Sequence, residues 1–252
     1  MTLPIPPQSS ADLWILRQPP LGSCTGVLDL TELDATEQSR AGTCRREAGR
    51  LLYSSAHVGL RRLLSAYLDT DPRSLRMGRE PCPCCEEPHG RPVLESPRTL
   101  VHFSLSHSNG MALIGISTAP IGVDVEKVPT TGTAQVCTPA LHPDEQRELA
   151  AASAGVVEFG QLWTRKEAYL KGLGTGLGRP LAADYLGADP ARRPDGWEVV
   201  DVPCGPQHVA AVALRTAPQV RVRVHWLAME CLYKDDPVPL DQQRSLLAEL
   251  AA

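Results

Sequence analysis

Three short segments of this chain carry residues whose types and spacing suit metal and phosphate chemistry. The first is Gly122-Val123-Asp124-Val125-Glu126. Alternate side chains of a β-strand share a face, so Asp124 and Glu126 would lie on one side of a strand, roughly 6–7 Å apart along it. Two neighbouring carboxylates repel unless a cation or a proton intervenes, and Mg²⁺ commonly binds one or two carboxylates together with phosphate and water. The segment predicts either a metal-binding strand or an ordinary edge strand with a solvated acidic face.

The second segment runs from Trp163 to Lys171. In a helix, Glu167 and Lys171 are four residues apart and share a face, and Trp163, Lys166 and Leu170 lie on adjacent faces. Glu167 can supply a third carboxylate to the metal site, and the two lysines can bind phosphate oxygens. The alternative is a surface ion pair beside a buried tryptophan, which contributes only roughly a few tenths of a kcal/mol.

The third segment runs from Phe103 to Ser108 and contains Ser106 and His107. A hydroxyl and an imidazole at the end of a strand can donate hydrogen bonds to a phosphate, and the alternative is a polar turn. A serine nucleophile with a histidine base is disfavoured, because adjacent strand side chains point to opposite faces. The glycines of residues 172–178 follow a helix instead of opening one, so they predict a flexible turn and not a nucleotide-binding loop.

Three cysteines and a histidine, Cys82, Cys84, Cys85 and His89, lie within eight residues. Thiols and imidazoles are zinc ligands. The spacing C-x-C-C-x₃-H departs from zinc knuckles, which place two or more residues between ligand cysteines. A cysteine-bearing loop is therefore the default prediction, and a small zinc-linked interaction module is the alternative.

The patterns around these segments predict the elements that must position them. Strands are expected over residues 13–16, 101–117 (a hairpin broken at Asn109-Gly110), 121–125, 197–202, 208–214 and 220–227. Helices are expected within residues 31–68, over 143–152 and 159–172, and after Asp241, with loops over 81–97 and 128–141. Strand and helix blocks occur on both sides of Pro120, without a strong sequence repeat. This order favours an α+β fold with an N-terminal subdomain over residues 1–119 and a C-terminal subdomain over 120–252.

Composition narrows the class of protein. The chain has 252 residues and a net charge of −4, so no overall basic field indicates a nucleic-acid partner. The N-terminus lacks a basic stretch followed by an apolar one, so no secretory signal is expected. No apolar run reaches the roughly 18 residues of a membrane helix, so no membrane partner is expected. These features predict a cytoplasmic protein whose eight cysteines are free thiols.

Together and in this order, Ser-Leu-Ser-His-Ser, Gly-x-Asp-x-Glu and Trp-x-x-Lys-Glu-x-x-x-Lys resemble the signature of the 4′-phosphopantetheinyl transferase superfamily. The specific resemblance covers residues 88–180. The chain length and N-terminal extension are similar to the large, pseudo-dimeric type that activates nonribosomal peptide and polyketide synthases. The resemblance implies two similar α/β subdomains in a pseudo-twofold arrangement, within a monomer. The family usually has asparagine where this chain has Ser104, and a serine can make a similar hydrogen bond in that place.

The resemblance implies transfer of phosphopantetheine from coenzyme A to a serine of an apo acyl or peptidyl carrier protein, with release of 3′,5′-ADP. Mg²⁺, or Mn²⁺ in its place, is the implied cofactor. The implied roles are metal binding by Asp124, Glu126 and Glu167; phosphate binding by Arg91, Ser106, His107, Lys166 and Lys171; adenine or phosphate contacts by Arg46 and Arg50; neutralisation of the leaving group by Lys171; and proton abstraction by Glu145. Residues 128–141 are the expected carrier surface. The alternatives are an inactive paralogue that binds coenzyme A or a carrier, and an unrelated Mg²⁺-dependent phosphohydrolase.

Overall fold

The computed structural model of the chain describes residues 2–22, 26–153, 155–216, 220–235, 239–240 and 245–251. Its helices and strands, in chain order, are β1 (Ser10–Arg17), α1 (Ala35–Thr43), α2 (Glu47–Leu68), β2 (Arg76–Arg79), β3 (Pro92–Ser96), β4 (His102–Ser108), β5 (Met111–Ser117), β6 (Ile121–Lys127), α3 (Thr131–Cys137), α4 (Pro143–Ala151), α5 (Val156–Leu173), β7 (Trp197–Asp201), β8 (His208–Arg215), β9 (Arg221–Trp226) and β10 (Ser245–Ala251). This mixture confirms the α+β class. Within the described ranges, no helix has both the length and the apolar character needed to cross a bilayer.

The strands form three sheets. The largest has the order β10-β9-β1-β5-β4, the second has the order β6-β8-β7, and β2 and β3 form a hairpin. Strand β1 pairs antiparallel with β5 and parallel with β9, so a strand that follows residue 220 completes the sheet of the N-terminal strands. The division of the chain at residue 120 stays a prediction.

The two larger sheets stack face to face, and a long helix covers the outer face of each. Strand β1 shows the reason, because its successive side chains point to opposite faces. Leu13 and Ile15 pack in the core between the sheets, whereas Trp14 and Leu16 pack in the core that contains α2. All four are almost fully buried. On the far side, α5 packs against the β6-β8-β7 sheet.

Helix α5 lies very close to β6, and two glycines allow this approach. A Cβ on Gly122 would lie 1.9 Å from the carbonyl oxygen of Ala168, and a Cβ on Gly172 would lie 2.6 Å from the ring of Trp197. Any side chain at Gly122 would therefore displace the helix. The close approach brings the last two turns of α5 against the strand that carries Asp124.

Most of the predicted elements are confirmed. They include the strands at residues 13–16, 121–125, 197–202, 208–214 and 220–227, and the helices within 31–68, over 143–152 and over 159–172. The predicted hairpin is formed by β4 and β5. Asn109 and Gly110 both have positive φ, of 45° and 89°, as the tight turn of a two-residue hairpin requires.

Three expectations were wrong. Residues 245–251 form β10 and not a helix, because the free edge of β9 offers backbone partners; residues 241–244 lie outside the described residues. Residues 92–96 form β3, which pairs with β2, where a loop was expected. Residues 131–137 form helix α3 instead of a loop, since the Thr130 hydroxyl accepts a hydrogen bond from the Thr133 N–H and caps its start.

Candidate functional site

Serines of β4 hydrogen-bond to β6 at alternate positions. Ser104 Oγ accepts from the Val123 N–H at 3.1 Å, Ser106 Oγ donates to Asp124 Oδ1 at 2.8 Å, and Ser108 Oγ donates to Glu126 Oε2 at 2.6 Å. Ser104 thus makes a backbone hydrogen bond of the kind that an asparagine could also make. Because strand side chains alternate, His107 points the other way, with its ring 5.9 Å from that of Tyr53 on α2.

Asp124 is buried with only half of its carboxylate satisfied. Its Oδ1 accepts hydrogen bonds from Ser106 and from Lys171 Nζ, the latter at 2.6 Å. Its Oδ2 is buried without a hydrogen-bond partner among the described residues. Leaving a buried carboxylate oxygen unpaired is costly, by roughly 1–3 kcal/mol. An oxygen in this condition suits the binding of a cation.

Glu126 and Glu167 place two more carboxylates beside Asp124. Burial, and then the charge on Asp124, raise the pKa of Glu126, although its hydrogen bond from Ser108 opposes the shift. Burial raises the pKa of Glu167, and the charges on Asp124 and Glu126 add to the effect. A divalent cation would relieve this repulsion, and oxygen ligands suit Mg²⁺. The chemistry of the three residues therefore suits the predicted metal, but their oxygens do not all lie within 4.8 Å of one another in the structure.

These carboxylates line a cavity of about 850 Å³. Its walls come from α1, α2, the β2–β3 hairpin, β4, β6 and α5. Seven basic or imidazole side chains line it, namely Arg40, His57, Arg79, His89, Arg91, His107 and Lys171. The cavity also contains Asp34 and Glu37, which bind the buried Arg61. Carboxylates and cationic groups thus line the same cavity, as the binding of a metal ion together with a phosphate-bearing ligand requires.

Arg91, to which the family resemblance assigns a phosphate contact, reaches the cavity from the β2–β3 hairpin. Its guanidinium is bound to Glu80, with the Nε–Oε2 distance at 2.8 Å. The end of α5 packs directly on this arginine: a Cβ on Gly174, which has φ +83°, would lie 2.9 Å from Arg91 Cγ. The glycine that ends α5 therefore packs against Arg91 at the wall of the site, and the flexible turn expected over residues 172–178 stays a prediction.

Glu145 and Lys166 form a buried ion pair outside the cavity. Lys166 Nζ lies 2.8 Å from Glu145 Oε2, and the two side chains are 2% and 0% exposed. Glu145 also accepts hydrogen bonds from the N–H groups of Leu186 and His142, and Lys166 donates to two backbone carbonyls. Since their polar atoms are engaged inside the protein, this position does not support the predicted roles of base and phosphate ligand.

The predicted basic residues of the N-terminal half also lie elsewhere. Arg46 and Arg50, at the start of α2, are exposed and do not line the cavity. Arg40 of α1 lines it instead. Sequence reasoning also missed Tyr53 and His57, whose rings stack with centroids 4.1 Å apart at the cavity wall. Their spacing of four residues on a helix was the signal that could have found them.

Known proteins share the segment that carries the carboxylates. A family model described as "4'-phosphopantetheinyl transferase superfamily" matches residues 120–196. Three similar proteins are the 4′-phosphopantetheinyl transferase gsp of Aneurinibacillus migulanus (30% identity over 100 residues, 39% of this chain and 40% of that protein), the 4′-phosphopantetheinyl transferase of Bacillus subtilis (31% over 119 residues, 46% and 50%) and the 4′-phosphopantetheinyl transferase HetI of Nostoc sp. (27% over 192 residues, 72% and 78%).

The alignments to the first two proteins span half of each relative's length or less, whereas the one to HetI is longer. The segment matched by the family model contains Asp124, Glu126, Glu167 and Lys171, which the structure brings together at the cavity. Over this segment, the chain is similar to the 4′-phosphopantetheinyl transferase superfamily.

Proposed function

We propose that this chain transfers 4′-phosphopantetheine from coenzyme A to a serine of an apo acyl or peptidyl carrier protein, in a Mg²⁺-dependent reaction. One observation carries the proposal: the half-satisfied carboxylate of Asp124 shares a cavity with Glu126, Glu167 and several cationic side chains. The three similar proteins are all named as 4′-phosphopantetheinyl transferases, which supports the same reaction.

The cavity suits coenzyme A in size and charge. Its volume of about 850 Å³ lies within the roughly 300–1,000 Å³ of typical ligand sites. Arg91 and His107 line the cavity and would bind phosphate oxygens, and Arg40 and His57 line it on the α1–α2 side. Arginine makes charge-assisted hydrogen bonds to phosphate, the strongest class of hydrogen bond in proteins. Burial lowers the pKa of His107, so its imidazole would donate to phosphate as a neutral group.

The carboxylates of Asp124, Glu126 and Glu167 would hold Mg²⁺, or Mn²⁺ in its place. When bound, the metal would stabilise the negative charge that develops on the leaving phosphate and would orient the reacting groups. Lys171 lines the same cavity, with its ammonium 2.6 Å from Asp124 Oδ1 and 3.0 Å from Ser106 Oγ. It can donate to a phosphate oxygen and neutralise part of the same charge.

In the proposed reaction, the carrier serine oxygen forms a bond to the β-phosphorus of coenzyme A, and the bond from that phosphorus to the bridging oxygen breaks. The leaving group is 3′,5′-ADP, which departs with the bridging oxygen, and the proton of the serine hydroxyl is released to solvent. The structure does not bring Glu145 to the cavity, so the proposal does not include it as the base.

The carrier surface follows from the elements beside the site. Helix α3, between β6 and α4, exposes Val136 to 80%. An apolar side chain so exposed, on the segment that leads from the carboxylate strand, is suited to contact a carrier. We propose that a carrier protein contacts Val136 on α3. We further propose that the chain is a monomeric, cytoplasmic enzyme that serves polyketide or nonribosomal peptide synthases.

A direct assay tests the proposal. The chain is incubated with an apo peptidyl or acyl carrier protein, coenzyme A and Mg²⁺, and the carrier is weighed by intact mass spectrometry. We expect the carrier to gain one phosphopantetheine group, and EDTA to abolish the gain. Absence of any gain in a chain that still binds coenzyme A would favour the binding paralogue. Phosphate release from coenzyme A without a carrier would favour the phosphohydrolase.

A further inference from the structure

Cys82, Cys85 and His89 meet in the loop that joins β2 to β3. Their ligand atoms all lie within 4.8 Å of one another, and Cys85 Sγ lies 3.0 Å from His89 Nε2. Zinc bonds of about 2.3 Å to sulfur and 2.0 Å to nitrogen, at tetrahedral angles, place such atoms about 3.5–3.8 Å apart. In the described part of the chain, no other trio of His, Cys, Asp or Glu residues brings its ligand atoms this close together.

The structure removes the objection that the sequence raised to a zinc site. Cys84 is not a member of the group; it lies on the side of the loop near Gly178, where an added Cβ would sit 3.9 Å from Cys84 Cβ. The remaining ligands follow the pattern C-x₂-C-x₃-H. Two residues between ligand cysteines is a common spacing in zinc sites.

The backbone folds this loop around the three side chains. The Cys82 N–H donates to the Glu87 carbonyl and the Glu86 N–H donates to the Cys82 carbonyl, both at 2.8 Å. The Cys84 N–H points at Cys82 Sγ, at 3.4 Å. Gly90 closes the loop, since a Cβ there would lie 2.5 Å from the Glu80 carbonyl oxygen. N–H groups that point at sulfur favour the thiolate, the form of cysteine that binds metals.

We propose that Cys82, Cys85 and His89 bind Zn²⁺. Binding forms two zinc–sulfur bonds and one zinc–nitrogen bond, and the two thiols release their protons to solvent. Cys82 is buried, whereas Cys85 and His89 are exposed, so the ion enters from solvent and keeps its fourth position open to water. Thiolates and imidazole select zinc, while the carboxylates of the cavity suit a hard cation such as Mg²⁺.

The zinc site would brace one wall of the cavity. His89 and Arg91 line the cavity and belong to the same loop, and the Gly90 carbonyl accepts a hydrogen bond from Arg79. A bound ion ties the start of this loop to its end, so Arg91 is held in place before a ligand arrives.

Metal analysis of the untagged chain, purified without chelators, tests the site. We expect one zinc per chain in the wild type, and its loss in Cys82→Ser, Cys85→Ser and His89→Ala. Cys84→Ser is the matched control and should keep its zinc. A reduced wild-type chain that takes up no zinc would overturn the proposal, as would a Cys84→Ser variant that loses as much zinc as Cys85→Ser.

Cobalt provides a second measurement that does not depend on any variant folding. Co²⁺ added to the reduced, metal-free wild type should give the sulfur-to-cobalt charge-transfer absorption of thiolate ligands, and stoichiometric Zn²⁺ should abolish it. A cobalt spectrum without this absorption would contradict thiolate binding. A native chain lighter by two hydrogen atoms than the reduced one would show a disulfide in place of the metal.

The effect on coenzyme A binding rests on the proposed function and is tested separately. Without zinc, the loop must be ordered when the ligand binds, so we expect coenzyme A affinity to fall about two- to tenfold in calorimetry of Cys85→Ser. Zinc content does not depend on whether the chain is a transferase. A zinc-bearing chain that fails to bind coenzyme A would refute the proposed function and leave the zinc site intact.

Discussion

Helix α5 carries two lysine–carboxylate pairs that have the same chemistry and different surroundings. Lys171 lies 2.6 Å from Asp124 at the cavity, where the lysine side chain is 31% exposed. Lys166 lies 2.8 Å from Glu145, and both of these side chains are almost completely buried. Asp124 keeps one carboxylate oxygen without a partner among the described residues, whereas both oxygens of Glu145 accept hydrogen bonds.

The position of each lysine on the helix explains the difference. The two residues are five positions apart, which rotates one about 140° from the other around the axis. Lys171 therefore faces β6 and the cavity, while Lys166 faces α4 and the segment around Leu181. A pair whose polar groups are all satisfied holds the fold together, and a pair with an unsatisfied oxygen is ready to bind a further group.

The strongest test of this contrast is Asp124→Asn. This substitution keeps the shape of the side chain and removes its charge, so we expect the rate of phosphopantetheine transfer to fall about a thousandfold, which corresponds to about 4 kcal/mol. Single-turnover transfer to an apo carrier measures the rate, and the melting temperature serves as the control for folding. A rate close to that of the wild type would remove Asp124 from the proposed metal site.

The matching change in the buried pair is Lys166→Met. It leaves Glu145 as an uncompensated buried charge, so we expect a loss of about 3 kcal/mol of unfolding free energy. The double variant Lys166→Met, Glu145→Gln should recover part of this loss, because Gln keeps an acceptor for the Leu186 N–H. Urea unfolding measures both variants. A Lys166→Met chain with normal stability and no transfer would place Lys166 back among the phosphate ligands.

A smaller effect, on the affinity for coenzyme A, is expected to distinguish the arginines that line the cavity from those outside it. Arg91→Ala should weaken coenzyme A binding about tenfold, since it removes a charge-assisted hydrogen bond that is partly offset by the existing Arg91–Glu80 pair. Arg46→Ala, on the exposed start of α2, should change the affinity less than about twofold. Calorimetric titration compares the two. A larger loss of affinity in Arg46→Ala than in Arg91→Ala would support the contact between Arg46 and coenzyme A that the family resemblance implies.

The smallest expected effect is on the pH dependence of the chain's stability. Burial raises the pKa of both Glu126 and Glu167, so the folded state holds their protons more tightly than the unfolded state. The stability of the metal-free chain should therefore fall as pH rises from the ordinary glutamate value of 4.5 through the raised values. The double variant Glu126→Gln, Glu167→Gln should lose this dependence and melt increasingly above the wild type as pH rises in EDTA. A difference in melting temperature between the variant and the wild type that does not change with pH would show that burial raises the pKa of neither carboxylate.

Patterns local in sequence predicted much of the fold. Short apolar runs in β1 and β8, the alternating residues of β6 and the Asn109-Gly110 turn identified strands and the hairpin, because both patterns are local in sequence. The tail was predicted wrongly as a helix, since the partner that makes it a strand, β9, lies about twenty residues earlier in the chain. The local sequence preference of residues 245–251 carries no information about their pairing with β9.

For the site, the sequence by itself determined which residues are able to bind a metal and phosphates. Asp124 and Glu126 share a face because of strand geometry, and Glu167 and Lys171 share one because of helix geometry. Both relations depend only on the regular repeat of the backbone. The same reasoning selected Lys166, and the family resemblance added Glu145, Arg46 and Arg50, which have suitable chemistry as well.

Only the tertiary structure decided which of these residues face a common cavity. The close approach of α5 to β6 at Gly122 brings Lys171 to Asp124, and the rotation of the helix sends Lys166 to Glu145 instead. The hairpin loop likewise selected Cys82 and Cys85 over Cys84. The burial of a side chain and the direction in which it points depend on contacts between residues far apart in the chain. The spacing of residues along one segment does not specify these contacts.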